Sequence, residues 1–228
     1  MTTNLTPKSR KGYKGLPMEG FVARWYARNT AGRDHRKSAE LEAAQVAGGG
    51  SIRILEVAPG PGYLAIELAK LGTYWVFGLD ISQTFVQMAT ARAQDVGVAV
   101  EFRHGDAAQM PFPPNSFDFI VCQAAFKNFS EPVQALREMY RVLKPGGKAL
   151  ILDLRPDASP KAINAEVKNM KLGWFNSLMT KLAFRYCLLK RAFSREQFGR
   201  MAFQTPFKTC EIQEEPLGLM VALVKGVG

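Results

Sequence analysis

Two carboxylates and a glycine turn stand at spacings that could build a ligand site. Glu56 opens the run Glu56-Val57-Ala58-Pro59-Gly60-Pro61-Gly62, and Asp80 follows about twenty residues after the turn. Gly60 to Ala65 satisfies the dinucleotide pattern G-x-G-x-x-[GA], and Asp80 stands where a ribose-binding acid would. Two features argue against a pyrophosphate at this turn. Glu56 puts negative charge at its mouth, and Pro59 and Pro61 each remove a backbone N–H that a phosphate would need. The chemistry suits a ligand with a nucleoside at one end and a cationic group at the other. Taken one at a time, the same residues also read as turn glycines and a helix N-terminal acid at Asp80.

The elements that must position these residues alternate between strand and helix. Strand candidates are 51–57, 74–80, 98–106, 116–123 and 148–154, and helices are predicted over 62–72, 82–97, with Ser82 as its N-cap, and 131–147. Strands separated by helices of about 10 to 15 residues predict a doubly wound parallel α/β sheet, with the ligand at the strand carboxyl ends. Two further candidates, 207–215 and 219–226, are joined by Pro216-Leu217-Gly218, a link so short that they must run antiparallel. The expected fold is a mostly parallel seven-stranded sheet with an antiparallel C-terminal hairpin.

The 228 residues, 47% of them apolar, can bury a full core. Three scattered cysteines suggest neither a disulfide framework nor a metal site, and fit a reducing cytoplasm. No run approaches a membrane span, and the N-terminus lacks a signal-peptide core, so a soluble, unprocessed, cytoplasmic chain is expected.

The net charge of +10 is concentrated in two places. Residues 1–37 and 161–200 each carry nine Lys/Arg against two acids, whereas residues 38–160 carry ten against thirteen. Such flanks are either solvated helix faces or contact surfaces for a partner or substrate.

Four motifs in order resemble those of class I S-adenosylmethionine-dependent methyltransferases, over about Ile52 to Leu154. These are "EVAPGPG", "GLDIS", "GDAAQMPFPPNSFDFIVC" and "LKPGGKALILD", and the small-molecule branch with the ubiquinone and menaquinone methyltransferases is the part of the family they resemble most. The resemblance implies S-adenosylmethionine as cofactor, held by Glu56, Ala58, Gly60 and Gly62 of the first motif. Asp80 with Ile81 would take the ribose, Asp106 with Ala107 the adenine, and Gln123 would lie by the methionyl group. Ala58 stands where the family usually has its first glycine. Phe126-Lys127-Asn128-Phe129 replaces the His pair of many relatives, which leaves no assigned base.

Residues 1–37 resemble the family's basic N-terminal lid, with Trp25 or Tyr26 closing over the cofactor, and 38–228 would be the methyltransferase domain. Within it, 159–203 is a helical insertion whose apolar residues, Ile163, Val167, Trp174, Leu178, Leu182 and Leu189 among them, fall at helical spacing beside a basic rim. This second lid would place Trp174 and Phe175, with Tyr26 and Lys127, against the acceptor, or else simply pack on the core. The expected reaction is in-line methyl transfer to a small, largely apolar acceptor, neutral or anionic, with peripheral contact to an anionic membrane as a further expectation. The two rivals are an RNA methyltransferase using the basic flanks, which lacks a nucleic-acid module to support it, and an S-adenosylmethionine-binding regulator without catalysis. No feature of the sequence bears on oligomeric state.

Overall fold

The strands form because short apolar, β-branched and aromatic runs are each closed by turn residues. In the computed structural model, which describes residues 12–14, 18–30, 35, 38–40, 51–169, 174–183 and 188–227, they assemble into one seven-stranded sheet of order β3-β2-β1-β4-β5-β7-β6. The strands are β1 (Ile52–Val57), β2 (Tyr74–Asp80), β3 (Val100–His104), β4 (Phe117–Gln123), β5 (Leu143–Leu154), β6 (Glu211–Glu214) and β7 (Gly218–Val224). The first five run parallel, and β7 enters antiparallel between β5 and β6.

Among the described residues, the helices that accompany the sheet include α1 (Gly20–Thr30), α2 (Tyr63–Lys70), α3 (Gln83–Asp95), α4 (Pro132–Val142), α5 (Pro160–Asn169), α6 (Trp174–Ala183) and α7 (Arg195–Phe203). Both faces of the sheet are covered, so its central strands are apolar on both sides. Alternation of side chains splits β1 between two cores. Leu55 joins Phe117, Ile120, Leu136, Met139 and Phe198 on one face, and Ile54 joins Leu64, Leu68, Val76 and Phe119 on the other. The strand order reverses between β1 and β4, which makes their carboxyl ends the switch point where a ligand binds in such a sheet.

Two boundaries differ from the sequence reading for physical reasons. The helix expected over 131–147 stops at Val142 because Leu143 turns extended, with φ −67° and ψ 142°, and Lys144 precedes Pro145, which disfavours helical backbone. β5 therefore begins at Leu143, opposite Phe117, and its register shifts before Lys148 pairs with Phe119. The strand expected over 207–215 is confined to Glu211–Glu214, because Thr205 and Phe207 hold a turn through Lys208, whose φ is 64°.

The insertion after β5 is divided. Ile163, Val167 and Leu189 form a small core of their own, whereas Leu178, Met179 and Leu182 on α6 are 48%, 43% and 40% exposed. The backbone of Trp174 and Phe175 starts α6, and their side chains lie outside the described residues, as do most of residues 1–17 and 31–50.

Candidate active site

The turn after β1 is bent by backbone conformation. Ala58, Gly60 and Gly62 all have positive φ, at 60°, 54° and 78°. At Ala58 this costs about 1–2 kcal/mol, because a Cβ in the left-handed region crowds the following carbonyl. A glycine would remove that strain. Gly62 is demanded twice, by its φ and by space, since a Cβ there would lie 2.7 Å from Ala89 Cβ and 2.9 Å from Phe102 Cζ. The loop is thereby pressed onto α3 and β3.

Two buried carboxylates bracket the loop. Glu56, 4% exposed at the end of β1, accepts from the Ala65 N–H at 2.8 Å and fixes the start of α2. Asp80, 5% exposed at the end of β2, accepts from Gly60 N–H through Oδ2 and from Ser82 N–H through Oδ1, both at 2.8 Å. Burial pushes the Asp80 carboxyl up to about 6, opposed by those two amide donors. Ser82 caps α3 as expected, its Oγ accepting from Phe85 N–H at 3.1 Å.

The sheet's third strand brings up the remaining groups. Asp106 Oδ1 accepts from Ala108 N–H at 2.8 Å, which sets the turn carrying Ala107. Ile81 is 36% exposed beside it, and His104 Nε2 donates to the Ile81 carbonyl at 3.1 Å, a side-chain tie from β3 to the turn after β2. Glu56, Ala58, Gly60, Gly62, Asp80, Ile81, Asp106 and Gln123 thus all stand at strand carboxyl ends or the turns that leave them.

Beyond β4 the chain is strained and paired. Ala124 has φ 57°, and the following turn, Phe126–Asn128, carries Lys127 into the interior at 3% exposure. Lys127 Nζ reaches Asp153 Oδ1 of β5 at 2.8 Å and also donates to the Ala124 carbonyl, while Lys127 N–H donates to Asp153 Oδ2 at 2.7 Å. The ammonium placed by sequence against the acceptor is therefore engaged in a buried ion pair that fixes the strained turn. Next to it, Asn128 Oδ1 is buried with no hydrogen-bond partner among the described residues. Phe126, Phe129, Phe193 and Phe198 pack into one aromatic cluster, their contacts 5.2–5.9 Å between centroids.

The segment 18–30 is docked onto the start of α3 and onto α2. The Glu19 carboxylate accepts from the N–H groups of Gln83 and Thr84 at 2.9 and 3.0 Å, and Ser82 Oγ donates to the Met18 carbonyl. Tyr26 meets Phe85 edge-on at 5.9 Å, and Tyr63 hydroxyl donates to the Ala27 carbonyl at 2.9 Å. Tyr63 is itself stacked on His35 and lies under Arg92. Phe21 and Trp25 face outward at 74% and 57% exposure, flanked by Arg24 and Arg28.

Sequence reasoning missed Asp153, Glu19, Tyr63 and Asn128, whose roles depend on partners brought together by the fold. Among the described residues, no group of His, Cys, Asp and Glu could hold a metal ion, and no helix is long and apolar enough to cross a membrane.

Comparison with known proteins gives concordant results. Residues 55–151 match a family model described as a methyltransferase domain. A demethylmenaquinone methyltransferase of Deinococcus radiodurans is 38% identical over 108 residues, 47% of this chain and 45% of that one. A demethylmenaquinone methyltransferase of Chlorobaculum parvum is 31% identical over 178 residues, 73% of this chain and 70% of that one. With several such curated relatives, the shared region spans only about half of their length. The crystal structure of a SAM-dependent methyltransferase from Aquifex aeolicus superposes with a TM-score of 0.66 at 18% identity, covering 90% of this chain and 99% of that one.

Proposed function

The chain belongs to the S-adenosylmethionine-dependent methyltransferases of the ubiquinone and menaquinone type, and from that premise we propose that it transfers a methyl group to a small, largely apolar quinol-class acceptor. The observation that carries this reading is the pair of buried acids, Glu56 and Asp80, bracketing a turn bent by three positive φ angles at the switch point. Two acceptor carboxylates at the turn fit a nucleoside with a cationic tail and repel a pyrophosphate. When bound, S-adenosylmethionine supplies an activated methyl group on a positively charged sulfur.

The chain's own residues would do the rest. Asp80 would accept from the ribose hydroxyls, and Asp106 Oδ2, left over from its own turn, would accept from the adenine amino group, with Ile81 and Ala107 against the base. Glu56 supplies the negative potential towards which the cationic end is drawn, and Gln123 borders it from β4. Holding the two reactants aligned in a dry cleft can contribute effective molarities of about 10^5 M or more, so the chemistry asks chiefly for positioning and exclusion of water. Tyr26 on the docked lid and the insertion that carries Trp174 and Phe175 would provide that exclusion, and the Lys127–Asp153 pair would hold the acceptor-side turn rigid. The outward Phe21 and Trp25 with Arg24 and Arg28 suit peripheral contact with an anionic membrane, where a long-tailed quinol would be met.

The test is formation of S-adenosylhomocysteine from S-adenosylmethionine in the presence of a reduced, short-tailed demethylmenaquinone, or of total RNA. Acceptor-dependent turnover with the quinol and none with RNA is expected. Turnover with RNA alone would overturn the reading, and cofactor binding without turnover on any quinol would favour a regulatory protein.

A further inference from the structure

Gly12, Tyr13 and Lys14 form a strap that crosses the carboxyl edge of the sheet. Tyr13 pairs antiparallel with Phe129, Lys14 N–H donates to the Asn128 carbonyl at 2.8 Å, and Ser130 N–H donates to the Gly12 carbonyl at 3.2 Å. Phe129 lies in the turn that leaves β4, so the strap is seated beside the switch point.

Its two ends reach opposite sides of the site. Gly12 is laid directly on the nucleoside side: a Cβ there would fall 2.2 Å from Asp106 Oδ2 and 2.7 Å from Ile81 Cδ1. The Asp106 carboxylate cannot simply swing away without losing its bond to Ala108 N–H. At the other end, Lys14 Nζ lies 5.7 Å from the centroid of Phe193 in the aromatic cluster. Tyr13 stands between the two. Its phenol is in the field of Asp80 on β2 and of Asp153 on β5, the strands that flank β1 and β4, and also of Tyr26 and Arg191. Burial raises its pKa above the ordinary value, so the hydroxyl is a proton-bearing hydrogen-bond donor at neutral pH.

We propose that Tyr13 is an acceptor-orienting residue of the transfer site, delivered there by the Gly12–Lys14 strap, and that the strap must lift for the nucleoside to exchange. The inference rests on the cofactor and acceptor reading above. Its physical content is a coupling: one strap covers the Asp106 and Ile81 end and carries the donor at the acceptor end, so the acceptor site is complete only while the nucleoside is enclosed. A neutral phenol carried by the strap beside the β4 exit can donate to an oxygen of a quinol-class acceptor and fix the ring's orientation, without taking up a proton itself.

Two variants test it, with S-adenosylhomocysteine and the reduced short-tailed demethylmenaquinone as probes. Tyr13→Phe removes only the hydroxyl, and should raise the acceptor KM by about five- to tenfold, the scale of one neutral hydrogen bond, while S-adenosylhomocysteine affinity stays within about twofold. Gly12→Ala puts a methyl where the strap touches Asp106, which disfavours the seated strap. In stopped-flow fluorescence, association and dissociation of S-adenosylhomocysteine should both rise, by about fivefold or more, as expected when a gate is open for a larger fraction of the time. A cleft contact without gating would change dissociation alone. Tyr13→Phe with unchanged acceptor KM, or with cofactor affinity lost in equal measure, would overturn the acceptor role. Gly12→Ala with unchanged exchange rates, or with dissociation alone accelerated, would overturn the gate. Wild-type protein that binds no S-adenosylhomocysteine would overturn the cofactor reading as well, whereas wild-type binding with unaltered variants would overturn this inference alone.

Discussion

Replacing Asp80 by Asn should separate what this side chain costs the fold from what it gives the ligand. The rise of its carboxyl from 3.8 to about 6 on folding comes mainly from burial, so the ionised form is the one penalised. That rise corresponds to about 3 kcal/mol of native-state cost once the group is fully ionised. Because the native state holds this proton more tightly than the unfolded chain, stability falls as pH climbs through the window from about 4 to 6. About 1.4 kcal/mol of the loss falls between pH 5 and pH 8. Asn carries no such loss. It can accept through only one end, so one of the Gly60 and Ser82 N–H groups loses its acceptor, at about 1–3 kcal/mol for a donor left unsatisfied. The variant should therefore be clearly less stable than wild type at pH 5, and should close about 1.4 kcal/mol of that gap by pH 8. Urea unfolding at the two pH values measures this directly, and calorimetry on the same protein should show S-adenosylhomocysteine binding weakened by about 1.5–3 kcal/mol. A stability gap that ignores pH, or widens on going to pH 8, would refute the burial argument. Unchanged ligand affinity would remove Asp80 from the ribose.

Three more outcomes follow from the same geometry. Glu56→Gln should weaken S-adenosylmethionine more than S-adenosylhomocysteine in paired titrations, because only the former carries the sulfonium charge; equal losses would mean that Glu56 acts through its contacts within the fold, such as its bond to Ala65, and not through its charge. Gly62→Ala should cost at least about 2 kcal/mol more than Gly72→Ala in denaturant midpoints, since both positions have positive φ but only Gly62 is hemmed in by Ala89 and Phe102. Lys127→Met should cost about 3–5 kcal/mol by leaving Asp153 buried and unpaired, and adding Asp153→Leu should restore much of it; a double variant no better than the single would mean that the pair is not the source.

Much of the fold is legible in the sequence because local rules agree there. The β1 run, the two-glycine turn and the α2 helix each announce themselves, and Ser82 is a cap by residue type and by geometry alike. Asp80 could be located by spacing. That it is buried and tied to Gly60 could not, because the tie joins residues twenty apart through the closing of two parallel strands. The Lys127–Asp153 pair is hidden for the same reason: it joins the exits of β4 and β5, and nothing near either residue signals the other. The strap is least visible of all. Three residues pairing with a turn have no periodicity, and what seats Gly12 is the room left by Asp106 and Ile81, a property of the fold. In the insertion, helical spacing marked Ile163, Val167 and Leu178 alike, yet only the first two are buried, since periodicity finds an apolar face without saying what covers it.

The central claim, that the cleft between β1, β2 and β3 is built for a cationic nucleoside and not for a dinucleotide, is tested most directly by titrating the wild-type chain with S-adenosylmethionine and, separately, with NAD in a calorimeter. One saturable site per chain for S-adenosylmethionine, with no heat from NAD, is the result predicted by Glu56 and Asp80 around an amide-poor turn. Binding of NAD with equal or greater affinity, or no binding of S-adenosylmethionine by folded protein, would contradict it.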